Sequence, residues 1–180
     1  MNGFVSFGEI MLRLMPRDHL RFLQEPSFEA TFGGAEANVA VALANWGLNA
    51  AFATVVPDND IGDACVRELR RFGVDVGHVV RRPGRLGVYF AECGSNQRPS
   101  KVIYDRRNSA LALAQPEDLD FEAILHGRDW FHVTGITPAL SRSCADLTLA
   151  AVKAAPAKGT KVSCVLNSRS SLWDYGFTPD

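Results

Sequence analysis

The sequence predicts an α/β chain, with a mostly parallel sheet flanked by helices on both faces and a small separate β-sheet beside it. Three observations carry this. Short apolar runs alternate with helix-period segments over most of the 180 residues. Two strand-like runs, 87–92 and 101–105, stand on either side of a polar loop and read as an antiparallel pair. No internal repeat or low-complexity linker interrupts the chain, so residues 1–180 have the make-up of one domain.

Taken in order, Phe4-Val5-Ser6-Phe7 is a short apolar strand ending at Gly8, and the alternating Met11 to Met15 extends or follows it until Pro16. Phe28 to Phe32 alternates again and enters Gly33-Gly34, after which Ala35 to Trp46 reads as a helix stopped by Gly47. Ala51 to Val56 is a buried strand, and Asp60 is expected to cap a helix through Arg71 that ends at Gly73. After the paired strands come a short helix at 121–125, a strand at 130–134, a helix at about 141–155 and a strand at 161–166. The paired strands at 87–105 suggest the small separate sheet.

A formal net charge of -1 gives no general field toward nucleic acid or an anionic membrane, so any anion must be met by a few placed groups. The apolar stretch 35–56 is interrupted by Glu36, Asn38, Asn45, Gly47 and Asn49, which excludes a membrane span there. The start lacks a basic leader and an apolar run, so a cytoplasmic setting is expected. Cys65, Cys93, Cys144 and Cys164 form no Cys-x-x-Cys pair and are expected as buried or half-buried free thiols. The four histidines share no metal-ligand spacing, and His132, inside an apolar run, is expected as a satisfied core histidine.

Candidate chemistry gathers where strands end. Gly33-Gly34, Thr134-Gly135 and Asn167 to Arg169 each follow a strand, which is where open α/β sheets bind ligands. Gly33 and Gly34 carry no side chain, so backbone amides and a helix start can approach a hydroxyl or an anionic oxygen; taken alone, the two glycines read first as a plain tight turn. One helical turn on, the Asn38 amide can donate to and accept from a sugar hydroxyl, or can satisfy a neighbouring loop.

Gly33-Gly34-Ala35-Glu36-Ala37-Asn38-Val39-Ala40, with Pro57-Asp58-Asn59-Asp60-Ile61-Gly62 after a buried strand, resembles the ribokinase-like (PfkB) family of carbohydrate kinases. Phe7-Gly8-Glu9-Ile10-Met11, Gly87-Val88-Tyr89-Phe90, Arg98-Pro99-Ser100, Tyr104-Asp105-Arg106 and Ser109-Ala110 are similar to its 2-keto-3-deoxygluconate kinase branch. The resemblance covers essentially the whole chain and corresponds to the amino-terminal half of that fold, and it implies that residues near 11–32 and 87–105 form the small sheet as a lid. It implies a sugar site at Gly33, Gly34, Asn38, Tyr89, Tyr104, Arg106, Ile136 and Arg169, with Asn167 on the nucleotide side. A keto acid carries a carboxylate that ordinary hexoses lack, and Arg106 and Arg169 can hold it through charge-assisted hydrogen bonds unless they lie on solvated surface.

The same resemblance implies ATP and Mg2+ as cofactors and a homo-oligomer formed through the lid, with no nucleic acid or membrane partner. It places the catalytic aspartate, in Gly-Ala-Gly-Asp, beyond Asp180, so no catalytic residue is assigned and the chain alone is expected to be inactive. Asp63 in Ile61-Gly62-Asp63-Ala64 lacks that context and is not the base. Val165 and Ser168 depart from the family's Asp-x-Asn-x-Arg segment. The alternatives are a fructokinase or ribokinase relative, or a noncatalytic sugar-binding or dimerising module.

Overall fold

The computed structural model describes residues 3–167 together with Leu172 and Trp173. Its strands are β1 (Phe4–Phe7), β2 (Met11–Met15), β3 (Glu29–Gly33), β4 (Ala50–Pro57), β5 (Val79–Arg82), β6 (Val88–Glu92), β7 (Lys101–Asp105), β8 (Trp130–Thr134) and β9 (Lys161–Val165). The helices are α1 (Ala35–Asn45), α2 (Asp60–Arg71), α3 (Phe121–Leu125), α4 (Ile136–Ala139) and α5 (Arg142–Ala157), with a 3-10 turn at Pro116–Asp118.

The most continuous apolar runs form the middle of a five-stranded parallel sheet, ordered β5-β4-β1-β8-β9. Phe4 to Phe7 pair with Ala50 to Ala53 on one side and, through Ser6, with Trp130 to His132 on the other. Both faces are covered. Cys65, Val66 and Leu69 of α2 and Ala37 and Ala40 of α1 pack with Phe52 and Val56 on one face. On the other, Cys144, Leu147 and Ala151 of α5 join Val5, Phe7 and Phe131. Each fully buried large side chain here contributes roughly 1.5 to 3 kcal/mol.

Two excursions leave this frame. The chain makes β2 and β3 between β1 and α1, and β6 and β7 between β5 and α3. They meet in a four-stranded sheet, order β3-β2-β6-β7, joined by the parallel pairing of Leu12, Arg13 and Leu14 with Val88, Tyr89 and Phe90. One face of this sheet holds Phe90 against Phe22 and Phe28. Glu92, on the same face, accepts from the Phe22 amide and pairs with Arg98.

Several details differ from the sequence reading. Asn59, not Asp60, caps α2: its extended backbone makes it the last residue outside the helix, and its side chain accepts from the Ile61 and Gly62 amides at 3.1 Å. Strand β5 and helix α4 were not read. Val79-Val80-Arg81-Arg82 is short and half charged, as suits an edge strand, with Arg81 paired to Asp63 at 2.6 Å and Arg82 to Asp118. Cys164 is exposed, unlike buried Cys65 and Cys144, whose thiols burial pushes up to about 12. His132 is buried but only half satisfied: Nδ1 meets Ser163 Oγ at 3.1 Å while buried Nε2 has no partner. Burial lowers its pKa, favouring neutral imidazole. No helix among the described residues is long and apolar enough to cross a membrane.

Candidate functional site

A cavity of about 180 Å³ opens where the two sheets meet, and Gly33, Gly34, Asn38, Tyr89, Tyr104, Arg106, Ile136 and Asn167 all line it. Arg169 lies outside the described residues, as does Ser168. The strand ends converge differently from the expectation, because Gly33 closes a strand of the small sheet, whereas Ile136 and Asn167 follow β8 and β9 of the parallel sheet. Asn167, assigned to the nucleotide side, shares this cavity with the sugar-side residues.

Gly34 is required by space. Its φ of -166° is ordinary extended backbone, but a Cβ there would lie 2.0 Å from the carbonyl oxygen of Glu9. That close approach lets the start of α1 meet the loop after β1. Asn38 is exposed, and its Oδ1 accepts from the Gly34 amide at 3.4 Å, so it does serve the turn. A side-chain amide keeps two donor hydrogens beyond that acceptor role.

Tyr89 and Tyr104 are directly opposed on β6 and β7, with ring centroids 5.8 Å apart. Cross-strand neighbours of this kind support each other and present a broad, weakly polar wall. Arg106 follows immediately, its guanidinium carbon 5.7 Å from the Tyr104 ring centroid. At 8% exposure, Arg106 does not lie on solvated surface. Nε donates to Glu9 Oε2 at 2.8 Å and Nη2 donates to the same oxygen, while Ser109 Oγ meets Glu9 Oε1 at 2.5 Å.

Sequence reasoning quoted Glu9 and Glu36 inside motifs but gave neither a role, although both line the cavity. Glu36 is 1% exposed and receives on Oε1 the Thr134 amide at 3.0 Å, Thr134 Oγ1 at 2.8 Å and Thr137 Oγ1 at 2.7 Å. Burial pushes its carboxyl above the ordinary range against those hydrogen bonds. The available signal was an acid set in an otherwise apolar, small-residue helix, which a solvated face would not require. Glu36 thus ties α1 to the end of β8 and to α4.

The sequence profile of the pfkB family of carbohydrate kinases matches residues 1–180. The chain belongs to that family. It is 38% identical over 169 residues to a 2-dehydro-3-deoxygalactonokinase of Haloferax volcanii, covering 94% of this chain and 53% of that protein. It is 32% identical over 171 residues to fructokinase-1 of Oryza sativa, covering 94% of this chain and 52% of that protein. Among solved structures, a 2-dehydro-3-deoxygluconokinase from Thermotoga maritima superposes with a TM-score of 0.93 at 52% identity, over 96% of this chain and 53% of that one. The chain spans about half the length of these relatives, and its fold is the ribokinase-like one expected.

Membership implies ATP with a divalent metal. Among the described residues, no group of three or more His, Cys, Asp or Glu side chains is disposed to hold a metal ion.

Proposed function

We propose that the chain is the sugar-binding part of a kinase that phosphorylates 2-keto-3-deoxygluconate at its 6-hydroxyl, giving 2-keto-3-deoxy-6-phosphogluconate. One observation carries this reading: Arg106, two facing tyrosines and the Gly34–Asn38 helix start line a single cavity. In the proposed pose the substrate carboxylate meets Arg106, with Arg169 as a second contact. Its hydroxyls meet Asn38 and the Gly33-Gly34 backbone, while Tyr89, Tyr104 and Ile136 cover its carbon skeleton. Fixing the sugar's position in this way supplies the orientation that phosphoryl transfer requires.

A second reading, a neutral hexose, is favoured by a specific observation. Glu9 already compensates the charge of Arg106, which makes the cavity less cationic than the arginine alone implies. Titration of wild type and Arg106→Ala with 2-keto-3-deoxygluconate and with fructose separates the two. A lost charge-assisted bond costs about 1.5 to 3 kcal/mol, roughly ten- to more than a hundredfold in affinity. That loss is expected for the acid alone. Equal losses for both sugars would show that Arg106 supports the small sheet rather than reading a carboxylate, and the substrate would revert to an unspecified sugar.

The small sheet is proposed as a lid through which two copies associate, because its edge strand β7 exposes Val102, Ile103 and Tyr104. Residues 1–180 are proposed to form part of one kinase domain. A cytoplasmic setting fits the four free cysteines.

A further inference from the structure

Arg106 is held by a residue that neither the sequence motifs nor the relatives' names assign to the site. Glu9, in the loop between β1 and β2, is 3% exposed and stands 97 positions away in sequence. Its Oε2 takes the Nε and Nη2 of the guanidinium, and its Oε1 is occupied by Ser109 Oγ at 2.5 Å. The Tyr104 ring adds a third constraint at 5.7 Å. A planar guanidinium has two usable edges, and these bonds commit one of them. Nη1 is the nitrogen not bound to Glu9, and both Arg106 and Glu9 line the cavity.

This geometry has two opposed electrostatic effects. Glu9 fixes the plane of the guanidinium, which makes recognition of a ligand carboxylate directional. It also places a negative charge beside the position that such a carboxylate must take, which lowers the intrinsic attraction of Arg106 for any acid. Between groups as buried as Glu9 and Arg106, a unit charge a few ångströms away interacts strongly even at an effective dielectric of about 20.

We propose that Glu9 is a specificity-determining residue, a buried counter-charge that orients Arg106 and sets how strongly the cavity prefers an acidic ligand to a neutral one of the same shape. The proposal rests on the sugar-site reading above for its ligands, but on the Glu9, Arg106 and Ser109 geometry for its cause.

Glu9→Gln separates the two effects, since glutamine keeps an acceptor for Nε and Nη2 and removes the charge. Glu9→Asp keeps the charge and shortens the reach. Calorimetric titration of both variants and wild type with 2-keto-3-deoxygluconate and with fructose gives the ratio of the two affinities. Glu9→Gln is expected to shift that ratio toward the acid by about tenfold or more. Glu9→Asp is expected to leave it within about threefold of wild type, because the counter-charge stays. A merely structural role would weaken both sugars together, and an unchanged ratio in Glu9→Gln overturns the proposal. Preference of the wild type for one sugar bears on the substrate alone, so failure of that reading stays distinguishable.

Melting curves keep the inference testable if Glu9→Gln is too unstable to titrate or if neither sugar binds. With Arg106 left buried and uncompensated, a small carboxylate supplies the missing charge. Formate at tens of millimolar should raise the Tm of Glu9→Gln by about 2 °C or more beyond equal chloride, and should leave wild type unmoved. The same response to formate and chloride refutes the role of Glu9 as counter-charge.

Discussion

Replacing Gly34 by alanine puts a methyl group where another segment of backbone already lies. The new Cβ would stand 2.0 Å from the Glu9 carbonyl oxygen, 3.0 Å from its carbon and 3.1 Å from Ile10 Cα. A carbon rests against such an oxygen at about 3.3 Å, so the start of α1 and the loop after β1 must separate by more than about 1 Å. Overpacking of this kind costs about 1 to 3 kcal/mol. At about 2 to 4 °C per kcal/mol for a chain of this size, Tm should fall by roughly 2 to 12 °C. The displaced loop carries Glu9 and through it Arg106, so affinity for 2-keto-3-deoxygluconate should fall by about tenfold or more. Gly33→Ala is the control: its Cβ would meet Tyr89 Oη at 2.8 Å, the far end of a side chain that can swing aside. Its Tm should stay within about 2 °C of wild type. Scanning fluorimetry and calorimetric titration measure both effects. A Gly34→Ala protein that melts and binds like wild type would refute the close-approach argument.

Glu36 is raised by burial, so folding favours its protonated form and this contribution to stability falls as pH rises from its unfolded value through the raised folded one. Glu36→Gln should therefore gain stability relative to wild type as pH rises over that window; urea unfolding at several pH values checks it, and a constant difference contradicts it. Leu147, 1% exposed among Val5, Phe7 and Phe131, should cost about 2 to 5 kcal/mol when cut to alanine, read as a lower urea midpoint with unchanged slope. Lysine at both Val102 and Ile103 should convert a dimer to monomer in sedimentation at tens of micromolar while leaving Tm unchanged, since charge on an edge strand blocks pairing. Monomeric wild type would remove the proposed lid interface.

The parallel sheet was legible because its central strands are buried on both faces and so read as apolar runs, as with Ala50 to Pro57. Helix α2 was legible from its polar start at Asp60 and from Gly73 behind it, although the cap itself is Asn59. Edge elements were harder: β5 carries two arginines whose partners, Asp63 and Asp118, lie on other elements. The cavity's candidate residues came from motif resemblance, while their supports came only from three dimensions. Glu9 looks like a surface acid in one dimension and Glu36 stands out only as an acid in an apolar helix, and the partners of both lie about 100 positions away, which local spacing does not encode.

The parallel junction of β2 with β6 gives the cavity a particular place in folding. Its walls are joined by contacts of very large sequence separation: Glu9 to Arg106 spans 97 positions, Glu36 to Thr134 98 and Glu36 to Thr137 101. Closing such loops loses chain entropy before any contact is made, so these pairings assemble slowly and depend on the sheet that positions them. A partly folded chain can hold α2 or α5 without any trace of the cavity. Recovery of sugar binding after dilution from denaturant should accordingly lag behind recovery of helical signal, making ligand capture a reporter of the last long-range closure.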